Sequence, residues 1–488
     1  MKKLSELLPH IGAHTLHGNP DVQLDAITAD SRRVAHGSLF VALRGTAVDG
    51  HRFVAAAIEA GAAAIVVARD AAIDPAIAAG TTVVAVPDTA EALGLLASAW
   101  HDHPSRRLTL VGVTGTNGKT TVATLLYDMA RLRGERAGLL STVVNRIGTR
   151  AVPATHTTPD PLELNSLLAQ MVDEGCTFAA MEVSSHACAQ RRIAGLRFAG
   201  GVFTNLTRDH LDYHGTFQAY LEAKRMFFDA LPAEAWALVN DDDSHARVLI
   251  QNTRARVYGY GLRASATDFR AAVVEERIDG MELRIDGTEL HTPFAGRFNA
   301  SNLLAVYGAS RLLGCSKDEA LLHLSALHPV AGRFQTFHGG GITAIVDYAH
   351  TPDALANVLD TIRQAAGGDA DVITVCGCGG DRDHGKRPMM AREAASRSSM
   401  LIITSDNPRS EDPAAIAADM LAGLDDDARL ATTVELDRAR AIEMAITSAE
   451  PGGVVLVAGK GHENYQIIGS ERRHFDDAEQ VKAALSKR

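Results

Sequence analysis

The sequence predicts an α/β protein of three domains, and three observations predict it. Residues 109–126, TLVGVTGTNGKTTVATLL, read as an apolar strand, a Gly-rich loop and a Lys-Thr pair that opens a helix. On both sides of this stretch, short β-branched runs alternate with Ala/Leu-rich segments, the pattern of a mostly parallel sheet covered by helices. The chain has 488 residues, room for about three domains of ~150 residues. The expected units are 1–102, a small α/β domain; 103–337, built on the Gly-rich loop; and 338–488, a doubly wound domain.

In the first unit, SLFVAL is a strand, HRFVAAAIEAGAAAIVVA a helix running into a strand, and TTVVAVPDT a further strand. EALGLLASAWHDHP is a helix that ends at Pro104. Two polar loops flank the SLFVAL strand: Asp30-Ser31-Arg32 and Gly45-Thr46-Ala47-Val48-Asp49-Gly50. They suit a ligand at strand ends, and they equally suit ordinary Asx and Gly turns.

The second unit opens with the loop Thr114, Gly115, Thr116, Asn117, Gly118. Its glycines let backbone N–H groups approach phosphate oxygens, and the helix N-terminus adds partial positive charge. Lys119 is placed to reach β- and γ-phosphates, and the Thr120 hydroxyl to sit on Mg²⁺, with Thr121 next in the helix. The general pattern wants Gly five places before Gly118, where Val113 stands. Next, His156-Thr157-Thr158 form a polar loop entering a helix, and CTFAAMEVSS is a strand ending at Glu182, followed by Ser184. A carboxylate at such a strand end, beside a phosphate loop, is where a second metal ligand is expected. AGGVFTNL runs into a turn crowded with Asp209, His210, Asp212 and His214; zinc competes here, but two histidines without a third ligand are weak support for it. Lys224, in FQAYLEAKRMFF, reads on its own as a solvated helix lysine. Residues 255–300 read as short antiparallel strands; Asn299 and Asn302 share one side of a helix start, and Arg333 closes the unit.

In the third unit each strand runs into a polar loop: ITAIVDYAH ends at Asp347, DVITVCGCGGDRDHGKRP carries Arg387, MLIITSDNPRSEDP carries Asp406 to Arg409, and VVLVAGKGHENYQ carries Gly459 to Glu463. Thr351 caps a helix with Pro352 at its first position. Four such loops on one sheet edge form a ligand edge.

Composition excludes several classes. A net charge of −11, spread along the chain, and 5% aromatics argue against a nucleic-acid surface. No run approaches 18 apolar residues, and the N-terminus has no continuous apolar signal region, so a cytoplasmic protein without membrane insertion is expected. Five cysteines do not make a disulfide framework; Cys376 and Cys378 read as small buried residues.

Taken in order, TGTNGKTT, HTTPD, MEVSSH, TNLTRDHLDYHG, EAK, GRFN, GRFQ, DYAHTPD, GCGGDRDHGKRP, DNPR and AGKGHE resemble the motifs of the ATP-dependent Mur ligases along essentially the whole chain. The resemblance implies an N-terminal domain for the UDP end of a substrate, a central ATPase and a C-terminal Rossmann-like domain. It implies a monomer that uses ATP and Mg²⁺ to phosphorylate the D-glutamyl carboxylate of UDP-MurNAc-L-Ala-D-Glu, and an amine that attacks the acyl phosphate. It puts Gly115 to Thr121, Asn302, Arg333 and Asp347 on the nucleotide. Thr120, Glu182, His210 and a carbamylated Lys224 fall on magnesium; with Lys119, the last three form the catalytic set. The same resemblance overturns the solvated reading of Lys224. Ala29, Ser31, Thr46, Ala47, Val48, His156, Thr157, Thr158, Ser184, Gln190 and Arg192 would hold the UDP substrate. DNPR resembles the meso-2,6-diaminopimelate-type signature, whereas lysine-adding relatives differ there. Arg387, Asp406, Asn407, Pro408, Arg409, Gly459 and Glu463 would bind that amino acid. The planar fork of Arg409 suits its distal carboxylate.

Overall fold

The computed structural model describes residues 1–45, 48–71, 80–154, 156–367 and 370–488. Three sheets organise them. The N-terminal sheet has five strands in the order Thr15–His17, Thr82–Val86, Ala64–Ala68, Ser38–Val41, Ala26–Thr28, parallel except for the first. Alternation along Ser38–Val41 sends Leu39 and Val41 to one core with Leu93 and Leu96, and Phe40 to the other with Val54 and Ala57. Asp88 caps the helix Thr89–Trp100 by accepting from the Ala90 and Glu91 amides.

The second sheet has eleven strands. Its parallel heart runs Ala137–Leu140, Phe178–Glu182, Thr109–Thr114, Gly200–Phe203, Trp236–Asn240, Arg256–Gly261. The Thr109–Thr114 strand is central, buried on both faces and covered by the helix Lys119–Leu132. Its partners stay in step with it, Glu182 opposite Val113 and Phe203 opposite Thr114, so their C-terminal ends open together.

The antiparallel expectation for 255–300 needs correcting. Arg256–Gly261 is parallel to Trp236–Asn240, and only Phe269–Arg277, Gly280–Ile285 and Thr288–Thr292 form an antiparallel meander. Arg256–Gly261 lies inside the sheet, paired with Trp236–Asn240 on one side and Phe269–Arg277 on the other; it is exposed at its start and buried at its end, so polar residues there mark where the strand begins and not an antiparallel pairing. The hairpin Asn145–Ile147 with Arg150–Val152, at the other edge, was not read from the sequence.

The third sheet runs Gln335–Gly339, Ile342–Asp347, Val454–Ala458, Val372–Cys376, Met400–Ile403, Thr432–Val434, antiparallel only at its first pair. Order along the sheet departs from order along the chain at Val454–Ala458, which opens a crevice at the strand ends. Phe334, from the crossing segment 326–334 that leads from the second sheet's last helix to the third sheet, is part of this unit's core. Among the described residues no helix is long and apolar enough to cross a membrane.

Candidate active site

The C-terminal strand ends of the second and third sheets line one cavity of about 1650 Å³. Its floor is the phosphate loop. Gly118 has φ +84°, and a Cβ there would lie 2.5 Å from Asn302 Oδ1, so only glycine fits this turn. The loop is braced from the strand beside it: Thr116 N donates to Asn205 O (2.8 Å), Asn117 N to Asn205 Oδ1 (2.9 Å), and Thr204 Oγ1 to Asn117 O (2.6 Å). Lys119 Nζ folds back onto Gly115 O (2.9 Å) and Thr116 O (2.7 Å). Loss of water around it lowers its affinity for a proton, against the pull of Glu182 and Asp209.

Glu182 is almost fully buried. Its Oε1 accepts from Thr120 Oγ1 (2.9 Å) and Thr142 N (2.7 Å), and its Oε2 from Thr142 Oγ1 (3.2 Å). A carboxylate and a hydroxyl side by side at a phosphate loop are hard oxygen donors that fit Mg²⁺, which takes one or two carboxylates and fills its sphere with phosphates and water. Among the described residues no three His, Cys, Asp or Glu gather at metal-binding spacing. His210 instead faces His186, with ring centroids 4.9 Å apart, and Asp209 Oδ2 at 3.4 Å. Burial pushes the imidazole well below its usual range, so it is neutral and able to ligate.

The bare sequence reading of Lys224 as a solvated lysine is wrong in the fold. Tyr220, Lys224, Phe227 and Phe228 lie on the buried face of the helix Phe217–Asp229. Lys224 Nζ donates to Gly115 O at 2.7 Å and sits 4.8 Å from the Tyr220 ring centroid. Burial, then the Lys119 charge, push its pKa well down, so a neutral amine is favoured.

Arg333 reaches from the crossing segment to Thr120 Oγ1 (3.0 Å) and stacks on Tyr348, 4.4 Å from the ring centroid. Asp347 accepts from Phe334 N and Ala349 N, both at 2.7 Å, so its carboxylate ties the crossing segment to the third sheet. Thr157 joins Glu182 through Thr142 (Oγ1 to Oγ1, 3.0 Å). Thr158 Oγ1 donates to Glu182 O (2.8 Å), and Arg192 Nη1 to Thr158 O (2.7 Å). His156 and Ser184 line the same cavity. Gln190 does not; it braces Arg192 and Tyr213.

At the far end, Asp406, Asn407, Arg409, Gly459 and Glu463 line the cavity, and Arg409 Nη1 donates to Gly380 O at 2.7 Å. Arg387 does not reach the cavity. It is 1% exposed, and its Nη1 and Nη2 are held by Asp419 and Glu411, each at 2.8 Å. The buried guanidinium is instead paired with two partly exposed carboxylates. Pro408 also lies off the cavity wall, as do Ala29, Ser31 and Val48 in the loops beside the N-terminal sheet; Thr46 and Ala47 fall outside the described residues. Sequence reasoning missed Thr142, which nothing local distinguishes, and Lys386, whose Nζ donates to His350 O (3.0 Å) from the cavity wall.

Three family models match the chain: the Mur ligase family catalytic domain at 23–101, the Mur ligase middle domain at 113–310, and the Mur ligase glutamate ligase domain at 332–461. A Bacteroides fragilis protein named UDP-N-acetylmuramoyl-L-alanyl-D-glutamate–2,6-diaminopimelate ligase is 53% identical over 485 residues, covering 99% of each chain. A solved structure of a protein with the same name aligns over 99% of both chains with a TM-score of 0.67 and 32% identity. A MurF ligase from Thermotoga maritima in complex with ADP aligns over 96% of this chain and 97% of its own, with a TM-score of 0.59 and 18% identity, a likeness of fold.

Proposed function

The chain belongs to the Mur ligase family, and from that premise we propose that it joins meso-2,6-diaminopimelate to UDP-MurNAc-L-Ala-D-Glu at the expense of ATP. One observation carries the reading: a phosphate loop and an Arg/Asp/Glu-lined amino-acid pocket, from different sheets, face each other across one cavity.

The chemistry requires both ends. A carboxylate is a poor acyl donor because oxide would have to leave. Its oxygen therefore attacks the γ-phosphorus of ATP, the bond to the bridging oxygen breaks, and ADP departs, leaving an acyl phosphate. The diaminopimelate amine adds to the carbonyl carbon, the C–O bond to phosphate breaks, and the nitrogen loses a proton as the amide forms. The protein's contribution is positioning and charge neutralisation.

Loop amides and Lys119 cradle the phosphates. Thr120 and Glu182 would hold one Mg²⁺; His210 would hold a second, with Lys224 assisting as its carbamate. Bound there, the metal neutralises phosphate charge. The neutral Lys224 amine is the form that adds to CO₂, forming an N–C bond and releasing a proton. Asn302 and Arg333 contact the nucleotide, with Asp347 holding the segment that carries Arg333. Thr157, Thr158, Ser184 and Arg192 hold the muramoyl dipeptide, and the loops at Ser31 and Val48 the uridine end. Arg409 binds the distal carboxylate of diaminopimelate and Glu463 its distal ammonium. We take domain limits of 1–102, 103–337 and 338–488, and a monomer as the working form. Five buried, free cysteines support a reducing, cytoplasmic setting.

The test is phosphate release with ATP, Mg²⁺ and UDP-MurNAc-L-Ala-D-Glu, with meso-diaminopimelate or L-lysine in parallel. Turnover with diaminopimelate and little with lysine is expected. Turnover with lysine alone refutes the assignment of Arg409, and turnover with neither, in protein that binds ATP, refutes the ligase.

A further inference from the structure

We propose that Lys460 is a positioning residue: a resident cation that makes Asp406 and Glu463 together a receptor for a single ammonium group. The proposal deepens the amino-acid pocket just described and rests on that reading. Lys460 follows Gly459 at the end of the strand Val454–Ala458, and its side chain is 0% exposed. It cannot touch a substrate. Its Nζ lies 3.1 Å from Glu463 Oε2, 3.3 Å from Asn407 Oδ1 and 3.8 Å from Asp406 Oδ1.

The surrounding bonds give the cluster a direction. Asn407 Nδ2 donates to Glu463 Oε2 at 2.8 Å, so both donors fall on the same carboxylate oxygen. Oε1 is then the oxygen available to a ligand in the cavity that Glu463 lines. Asn407 is itself pinned, since its Oδ1 also accepts from Ile467 N at 2.9 Å. Asp406 is held against Gly459, where a Cβ would lie 2.8 Å from Asp406 Oδ2.

Charge balance supplies the function. Asp406 and Glu463 carry two negative charges and Lys460 one positive, a net of minus one that a single incoming ammonium neutralises. Without Lys460, two carboxylates would share a desolvated pocket and one would take up a proton. Glu463 is that one. Burial and then the Asp406 charge push its carboxyl up, and Lys460 and Asn407 oppose them. A protonated Glu463 offers no ion pair to the substrate. Around the cluster, Tyr348 and Tyr465 are phenols pushed up by burial and by Glu463 and stay neutral, burial holds the His462 imidazole neutral, and Arg409 and Arg472 bring positive charge beside Tyr465.

The experiment measures KM for meso-diaminopimelate and for ATP between pH 7 and 9 in the full-length protein and in Lys460→Met, Lys460→Arg and Glu463→Gln. Lys460→Met should raise KM for diaminopimelate about tenfold at pH 7, less at pH 9, with KM for ATP within about twofold of wild type. Lys460→Arg keeps the charge and should keep the pH profile of wild type. Glu463→Gln should raise KM equally at all pH values. Diaminopimelate and ATP KM values rising together in Lys460→Met, or no change in either, overturns the proposal. So does an Arg variant whose pH profile departs from that of wild type, which settles the matter even if the Met variant does not fold. Wild type that fails to turn over diaminopimelate refutes the underlying reading instead, so the two failures are distinguishable.

Discussion

Lys224 and Arg387 are both buried, where residue type suggests solvent or a ligand pocket. A helix lysine between Ala223 and Arg225 lies buried against Gly115 O, while an arginine in a charged loop is sealed between Glu411 and Asp419. Roles follow from these environments. Lys119 folds onto the phosphate loop's own carbonyls from the first turn of the helix behind it, so Lys119→Met should lower kcat about a hundredfold to a thousandfold in protein that still melts cooperatively. Steady-state kinetics beside a thermal melt check both halves. Arg409→Ala should raise KM for diaminopimelate about tenfold or more and leave KM for ATP nearly unchanged. A rise in both would mean that Arg409 only props the Gly380 loop.

Among elements, the strand Thr109–Thr114 decides most. Its neighbours' register puts Glu182 and the Thr204–Asn205 segment beside the phosphate loop. Gly112 lies mid-strand where a Cβ would come within 2.6 Å of Phe227 and 3.0 Å of Phe198. Gly112→Ala should therefore cost about 1–3 kcal/mol in urea unfolding. In the third sheet, Arg438 and Asp477 open two helices and form a fully buried bidentate pair, both bonds 2.8 Å, with Arg438 Nη2 also on Ala458 O at 2.9 Å. Asp477→Ala strands that guanidinium in the core and should cost about 3 kcal/mol or more; an unchanged melt would show that the core takes in water there.

At the scale of the molecule, side-chain bonds that cross the cavity among the described residues include Arg333 to Thr120 at 3.0 Å and Asn117 to Asp353 at 3.4 Å. The residues proposed for ATP and for the amine lie on opposite walls, so the third domain should close on the central one when both ligands bind. The radius of gyration from small-angle scattering should fall, and identical free and liganded profiles would count against closure. Acid should loosen the same region. Burial pulls His350 to about 4 and His462 to about 3, below the ordinary histidine value of 6.5. Between pH 6.5 and those values the unfolded chain binds more protons than the folded one, so stability falls as pH falls. The Tm should be lower by about 5 °C or more at pH 5 than at pH 7.5, with a shallower slope in His350→Gln.

Strand and helix periodicity, the glycines of the phosphate loop, the Thr351-Pro352 helix start and the ordered motifs from TGTNGKTT to AGKGHE are local, so the sequence by itself determined the α/β class and the family. Each depends on neighbours a few residues away, where spacing and side-chain chemistry act directly. The parallel pairing of Arg256–Gly261, the burial of Lys224, the reach of Thr142 to Glu182, the withdrawal of Arg387 and the place of Lys460 beneath Glu463 were decided only by the tertiary structure. Burial and charge pairing depend on segments tens to hundreds of residues distant, and a side chain's protonation and direction are set by what those segments bring against it.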